Sequence, residues 1–404
     1  MKYHKMKNTR RDFLKASVLA SGSLFIPTFL KGFDVGTHRL GKEQGKVLVI
    51  IQMSGGNDGL NACVPYRNDI YYQSRPTLAV KDSDVLKLND EIGFNPVMEP
   101  MKALFDDGLV SVINNVGYPD PNRSHFRSMD IWQTASGAKE YLSTGWLGRY
   151  LDLTCKDCNP YHALEMDDTL SLSMKGVESS GFAVGNLAQL KKTTGSPFLK
   201  TVAHHHDHAH EENVAYLYRT MASTISSADY LYEQAKTFST KTVYPGNKLG
   251  KTLKQVAELI IAGTDTRVYY VNFDGFDTHA RQRGMQDNLL KQYALAMKAF
   301  TDDLRTHNLI DDTLVMTFSE FGRRVKQNAS GGTDHGTANN MYLVGGGLKN
   351  PGVFNSGPNL LDLDNGDLKY EIDFRRVYAT ILKNWLGVKD GGVLGRKFEL
   401  LDVV

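Results

Sequence analysis

"KVLVIIQMSGGNDG", Lys46 to Gly59, is the stretch on which the fold turns. Lys46 to Met53 is nearly continuous in aliphatic and β-branched residues, the pattern of a strand covered on both faces rather than on one. The run then stops in a Gly-rich loop carrying Asn57 and Asp58. Four further runs repeat this grammar. Leu109 to Val116 follows the helix-like "NPVMEPMKALFDDG", and Arg267 to Phe273 follows the amphipathic Lys248 to Gly263. Asp312 to Phe318 follows the long helical segment Asn288 to His307, and Asn340 to Val344 precedes three glycines. Strands alternating with helices of this length predict an α/β fold: a doubly wound, mostly parallel sheet with helices on both faces.

Outward from these strands the domain plan follows. Residues 45–390 read as one domain, within which 150–245 loses the alternation and reads as a cap or insertion, and 391–404 as a C-terminal tail. The stretch "GNKLGKT", Gly246 to Thr252, is one residue short of a phosphate-binding loop and reads as a helix start. At 404 residues, 41% hydrophobic and 23% charged, the composition is that of a globular protein with a sizeable core.

The net charge of +2 conceals an asymmetry. Residues 1–31 hold seven basic residues against Asp12 alone, so they carry +6 and the remainder carries −4. Nucleic acid is therefore excluded as a partner on electrostatic grounds. The same segment, "NTRRDFLKASVLASGSLFIPTFLKG", places Arg10 and Arg11 before an apolar run from Ala16 to Leu30 that is too short for a membrane span but suits an export signal. It resembles a bacterial twin-arginine signal, which makes the export machinery an expected partner and the periplasm the expected location. No cleavage site stands out after Leu30, so an uncleaved membrane anchor stays open.

Chemistry-bearing residues gather after the strands. Asn57 and Asp58 follow the first, Ser124 and His125 the second, and Asp274, Asp277 and His279 the third. Glu320, Arg323 and Arg324 follow the fourth, and Asp334 and His335 come shortly after. In open α/β sheets ligands bind at the carboxyl edge, so residues distant in sequence meet there. Two histidines, several carboxylates and one hydroxyl suit one or two divalent metals, zinc first, with calcium, magnesium or manganese as alternatives. A metal there could polarise a phosphoryl or sulfuryl group, and Ser124 at a helix start would find backbone N–H groups facing an anion. Arg323 and Arg324 could clamp that anion or be structural pairs, and Arg123 shares the ambiguity.

Other features are read more plainly. Cys155 and Cys158 form a C-x-x-C with no second pair to complete a zinc site, and read as a local disulfide or two inert thiols, with Cys63 left single. The tract His204 to His210 reads as a solvated loop with weak affinity for metal. No dinucleotide or haem fingerprint supports a redox enzyme.

"VIIQMSGGNDGLNACVPY", "RSHFRSMDIWQT" with "TGWLGRYLD", "DGFDTHARQ", "TFSEFGRRVKQNASGGTDHGTANN" and "VGGG", in that order, resemble the exported bacterial family known as DUF1501. That family in turn resembles the alkaline phosphatase and sulfatase superfamily, whose doubly wound sheet bears two metals beside a Ser, Thr or Cys nucleophile. The resemblance implies a hydrolase of phosphate or sulfate esters, small or borne on a polymer. It implies Ser124 as nucleophile, an Arg, for which Arg323 stands first, on the transferred group, Asp58 and Glu320 on one metal, and Asp277, His279 and His335 on the other. Asn57, His125, Asp274 and Asp334 are secondary candidates. The sequence departs where the superfamily has Asp-His-Gly, because Phe321 in Glu320-Phe321-Gly322 cannot bind metal. Asp277-x-His279 is also tighter than the usual spacing, which makes Asp274 a rival. The alternative is a non-catalytic binding or assembly protein keeping the fold and part of the metal shell.

Overall fold

A computed structural model of the protein describes residues 45–155, 158–197, 199 and 212–404. The expected export segment, residues 1–31, and the tract His204 to His210 lie outside the described residues. Gly45–Val404 forms one compact unit.

Nine strands make the central sheet: β1 Val47–Ser54, β2 Val110–Gly117, β3 Ala163–Glu165, β4 Phe182–Ala183, β5 Val268–Asp274, β6 Thr313–Phe318, β7 Asn339–Val344, β8 Gly352–Val353 and β9 Ile372–Asp373. Their order is β8-β2-β7-β6-β1-β5-β3-β4, with β9 also pairing β2. Every pairing is parallel except those of β7, which runs antiparallel to β2 and β6. The first strand lies at the centre, as its unbroken apolar run requires.

Side-chain alternation along β1 splits the interior into two layers. Val49, Ile51 and Met53 face one cluster with side chains of α1 (Glu99–Asp106), α5 (Lys248–Ile261) and α6 (Gln282–Thr306). Leu48 and Ile50 face the other, with α2 (His125–Thr134), α3 (Trp146–Thr154) and α7 (Phe374–Thr380). A further helix, α4, spans Glu212–Thr237. Asn247 caps α5 by accepting from the Gly250 N–H at 2.8 Å, so "GNKLGKT" is a helix start.

Both stretches set apart in the sequence contribute to the sheet or its core. Within 150–245, β3 and β4 extend the sheet at its edge. Two- and three-residue strands are too short to leave a periodic signal. Residues 391–404 are no loose tail: Leu401, Val403 and Val404 are buried in the second layer, and Leu401 N–H donates to Thr380 Oγ1 at 2.9 Å. Cys155 and Cys158 are disulfide-bonded, while Cys63 is a buried free thiol whose pKa burial pushes up to about 12. Among the described residues no helix is long and apolar enough to cross a membrane.

Candidate metal centre

Register brings the strand ends level. Gln52 of β1 lies opposite Asn272 on one side and Phe318 on the other, and Ser54 opposite Asp274. Because β7 is reversed, the residues entering it, Asp334 and His335, arrive at the same edge that the parallel strands leave. Gly55 lets two of the loops touch: its φ is +117°, and a Cβ there would stand 2.3 Å from the Asp277 nitrogen.

The loops converge on Asp277. His335 Nε2 lies 3.1 Å and His279 Nε2 3.0 Å from its Oδ1, and His125 Nε2 lies 3.5 Å from its Oδ2. His279 and His335 face each other, Nε2 to Nε2, at 2.9 Å. One donor atom from each of His125, Asp277 and His335 falls within 4.8 Å of the others.

The protons on these rings are fixed by their outer partners. His335 Nδ1 stands 2.8 Å from the Arg123 carbonyl oxygen, which can only accept, so Nδ1 carries the hydrogen. His125 Nδ1 is 2.8 Å from Glu320 Oε1, which also accepts the Gly55 N–H at 2.8 Å. A neutral imidazole with its proton on Nδ1 offers a lone pair at Nε2. Both rings therefore aim Nε2 lone pairs at one carboxylate, and His125 Nε2 is buried with no hydrogen-bond partner. A carboxylate or carbonyl behind each imidazole is the arrangement that orients histidine toward a metal, and this nitrogen and oxygen donor set fits zinc better than calcium or magnesium, which take oxygen.

The charges respond accordingly. The hydrogen bond to Glu320 raises the His125 pKa above its ordinary value against the opposing effect of burial. Burial pushes the Asp277 carboxyl up, but the Arg323 guanidinium that donates to it and the imidazoles beside it outweigh that and hold it at about 2. Asp334 is lowered first by its bond from Asn328 and then by His279.

Several sequence candidates lie elsewhere or act differently. Asp58 is wholly buried, with Oδ2 ion-paired to the equally buried Arg75 at 2.5 Å and accepting from Gln282 Nε2, and Oδ1 without a partner. Arg75 is further held by the carbonyls of Val325 and Arg324, each at 2.9 Å. No signal in "QSRPT" marks Arg75 for this role, because its partners come from two distant loops. Glu320 has no exposed side-chain surface and stands behind His125 as its orienting partner. Of the two alternatives for Arg323, its contacts are those of a structural residue: its donors go to the carbonyls of Gly55, Gly56, Phe276 and Thr333 and to Asp277. It is the buried pin that ties three loops together. Asn57 is buried, donating its N–H to Ser319 Oγ and accepting from Gln286. Asp274 sits exposed at the end of β5, outside the cluster.

Two residues take clearer places. Phe321 packs its ring 4.8 Å from His125 and 4.7 Å from His335, walling one side of the cluster. Ser124 is exposed at the N-cap of α2 and does not spend its hydroxyl on capping. Its neighbours on both sides are tied in, Arg123 through its carbonyl to His335 and His125 through its ring. Arg123 and Arg324 both dock on buried Asp367, at 3.1 and 3.3 Å. A cleft of about 590 Å³ runs from Glu320 and Phe321 past Arg123 and Asp367 to Lys369 and Tyr370.

The fold and cluster define a class: an α/β protein with a histidine–aspartate centre at the carboxyl edge of a mostly parallel sheet. The chain belongs to the family described as protein of unknown function (DUF1501), which matches residues 101–391. No protein of curated function matches it in sequence. Among solved structures it is similar to the lipoteichoic acid synthase LtaP of Listeria monocytogenes at 12% identity, over 87% of this chain and 76% of that one, with a TM-score of 0.39. It is similar at 12% identity to a protein of the alkaline phosphatase superfamily from Vibrio parahaemolyticus, over 88% and 70%, with a TM-score of 0.38. A phosphonate monoester hydrolase from Silicibacter pomeroyi is similar at 10% identity over 88% and 78%, with a TM-score of 0.36.

Proposed function

We propose that the chain is an exported metal-dependent hydrolase of phosphate or sulfate esters with a single-metal centre. One observation carries the reading: two imidazoles have their Nδ1 protons committed to fixed acceptors, so their Nε2 lone pairs converge on Asp277. His125, Asp277 and His335 would hold the ion, with His279 as a fourth donor. A divalent cation bound there supplies Lewis acidity to an ester oxygen and lowers the pKa of a neighbouring hydroxyl.

The chain's own groups supply the rest. Ser124 offers an uncommitted hydroxyl beside His125, at the N-terminus of a ten-residue helix whose free N–H groups favour an anion. Arg123 and Arg324 share one carboxylate, Asp367, which leaves one positive charge over for a phosphate or sulfate. The adjoining cleft accepts the remainder of the ester. Export by the twin-arginine machinery belongs to the same reading and rests on Arg10, Arg11 and the apolar run after them.

A second reading, a binding or assembly protein, is favoured by the Asp58–Arg75 pair and by Phe321, which together remove the donors of a second metal. Metal analysis of the purified protein, with aryl phosphate and aryl sulfate assays of wild type and Ser124→Ala, separates the two. The hydrolase reading expects one equivalent of divalent metal and a turnover that falls by about 1,000-fold or more in Ser124→Ala with metal retained. Metal without turnover supports the second reading, and neither metal nor turnover sinks both.

A further inference from the structure

A second group of donors lies outside the centre just described. Cys155 caps the C-terminus of α3, its N–H bonded to the Leu151 carbonyl at 2.8 Å; Cys158 follows, and the short turn Pro160–His162 brings His162 back toward them. One donor atom from each of these three residues lies within 4.8 Å of the others. We infer that Cys155, Cys158 and His162 form a redox-gated zinc site, closed by the disulfide when oxidised and able to bind one zinc ion when reduced.

Donor type, spacing and surroundings support it. Two thiolates and an imidazole are the soft and borderline ligands that zinc selects over magnesium or calcium, and C-x₂-C with a nearby His is metal-ligand spacing. Tetrahedral zinc with bonds of about 2.0 to 2.3 Å needs its donors roughly 3.5 to 3.8 Å apart, which the two sulfurs can reach once reduction frees them from each other, with the His162 donor already within 4.8 Å of both. The carbonyl end of α3 favours a cation. Asp265 Oδ2 stands 4.0 Å from His162 Nδ1, close enough to become the carboxylate behind that ring. Cys155 is buried and Cys158 exposed, so a dithiol has one sulfur open to attack and a metal has a way in.

The chemistry balances simply. A dithiol reductant gives two electrons and two protons to the disulfide and becomes a disulfide itself, leaving two thiols. Binding Zn²⁺ releases those two protons and leaves two zinc-bound thiolates. In reverse, a protein disulfide accepts the electron pair, the Cys155–Cys158 bond re-forms and Zn²⁺ departs with its oxidation state unchanged. Zinc would join the end of α3 to His162, the residue immediately before β3, whereas the disulfide ties only Cys155 to Cys158. The expected twin-arginine export of a folded chain would carry it from a reducing to an oxidising compartment, and so from one staple to the other.

The test uses the full chain, reduced with a phosphine or oxidised, stripped of metal and then titrated with zinc against a chromophoric chelator and separately with cobalt. Reduced wild type is expected to bind one more equivalent of zinc than oxidised, and to show thiolate-to-cobalt charge-transfer absorption, which the sulfur-free centre at Asp277 cannot produce. Cys158→Ser should lose both the extra equivalent and the absorption, with the far-UV circular dichroism confirming its fold. His162→Ala should weaken the extra site by about 10-fold or more. Equal zinc content in the two redox states, or thiolate absorption that persists in Cys158→Ser, would overturn the inference; the hydrolase reading rests on other residues and is untouched by either result.

Discussion

Asp58 and Asp277 both follow strands at the carboxyl edge of one sheet, and they have opposite fates. Asp277 keeps half of its side-chain surface exposed and stands among three imidazoles, while Asp58 has none exposed and is cancelled by Arg75. A carboxylate beside imidazoles that aim lone pairs at it calls for a cation from solution. A carboxylate beside a buried guanidinium has already received one from the chain. The edge position selects residues that can bind; the partner decides which of them do.

The comparison breaks most visibly at Arg75. Arg75→Met leaves Asp58 buried and uncompensated and should cost about 3 to 5 kcal/mol in urea unfolding, with the affinity for zinc at the Asp277 centre unchanged. Adding Asp58→Leu should recover most of that loss, since apolar replacements of a buried pair are often near neutral; no recovery would mean that Asp58 does more than neutralise Arg75. Asp277→Asn should lower zinc affinity by more than about 100-fold, read by chelator competition, since a direct ligand matters more than the outer partners worth about 10 to 100-fold. An affinity within a factor of three of wild type would remove Asp277 from the centre.

The pH dependence is next in size. Asp277, depressed from 3.8 to about 2, contributes stability that is full above 3.8 and is lost as pH falls toward 2. His125, raised from 6.5 by Glu320, contributes stability that is full below 6.5 and is lost as pH rises through its raised value. Metal binding needs His125 neutral, so zinc should raise the melting temperature more at pH 8 than at pH 6, while the metal-free protein changes in the opposite sense. The smallest expected effect is none: Phe321→His restores an imidazole, yet metal stoichiometry by elemental analysis should stay at one, because Asp58 remains with Arg75. A second bound equivalent would mean that Phe321 alone had closed that site.

The five long strands were legible because a fully apolar run between helices has one good reading, and the register follows once β1 is central. The reversal of β7 was not, since direction leaves no trace in a six-residue pattern. In the centre, Asp277, His279 and His335 stood out as ligand types at strand ends, and His125 beside the more conspicuous Ser124 less so. The surroundings of Glu320 and Arg323 were not legible, because residue type shows what a side chain can do, while burial shows what it is occupied with. Arg75 left no sequence signal, as its meaning depends on loops that close only in the folded chain.

The central position of β1 also sets a timetable. Leu48 pairs with Val268 and Leu314, so the strand at the sheet's middle is made first and waits for partners 220 and 266 residues further along the chain. At about 5 to 20 residues per second of synthesis, its eight nearly all-apolar residues wait for on the order of ten to forty seconds with both edges open. Contacts so distant in sequence slow folding and prolong exposure of an edge that other chains can join. A chain built this way keeps its first strand unpaired until those partners emerge, and the cluster around Asp277, which needs His335, can close only after them.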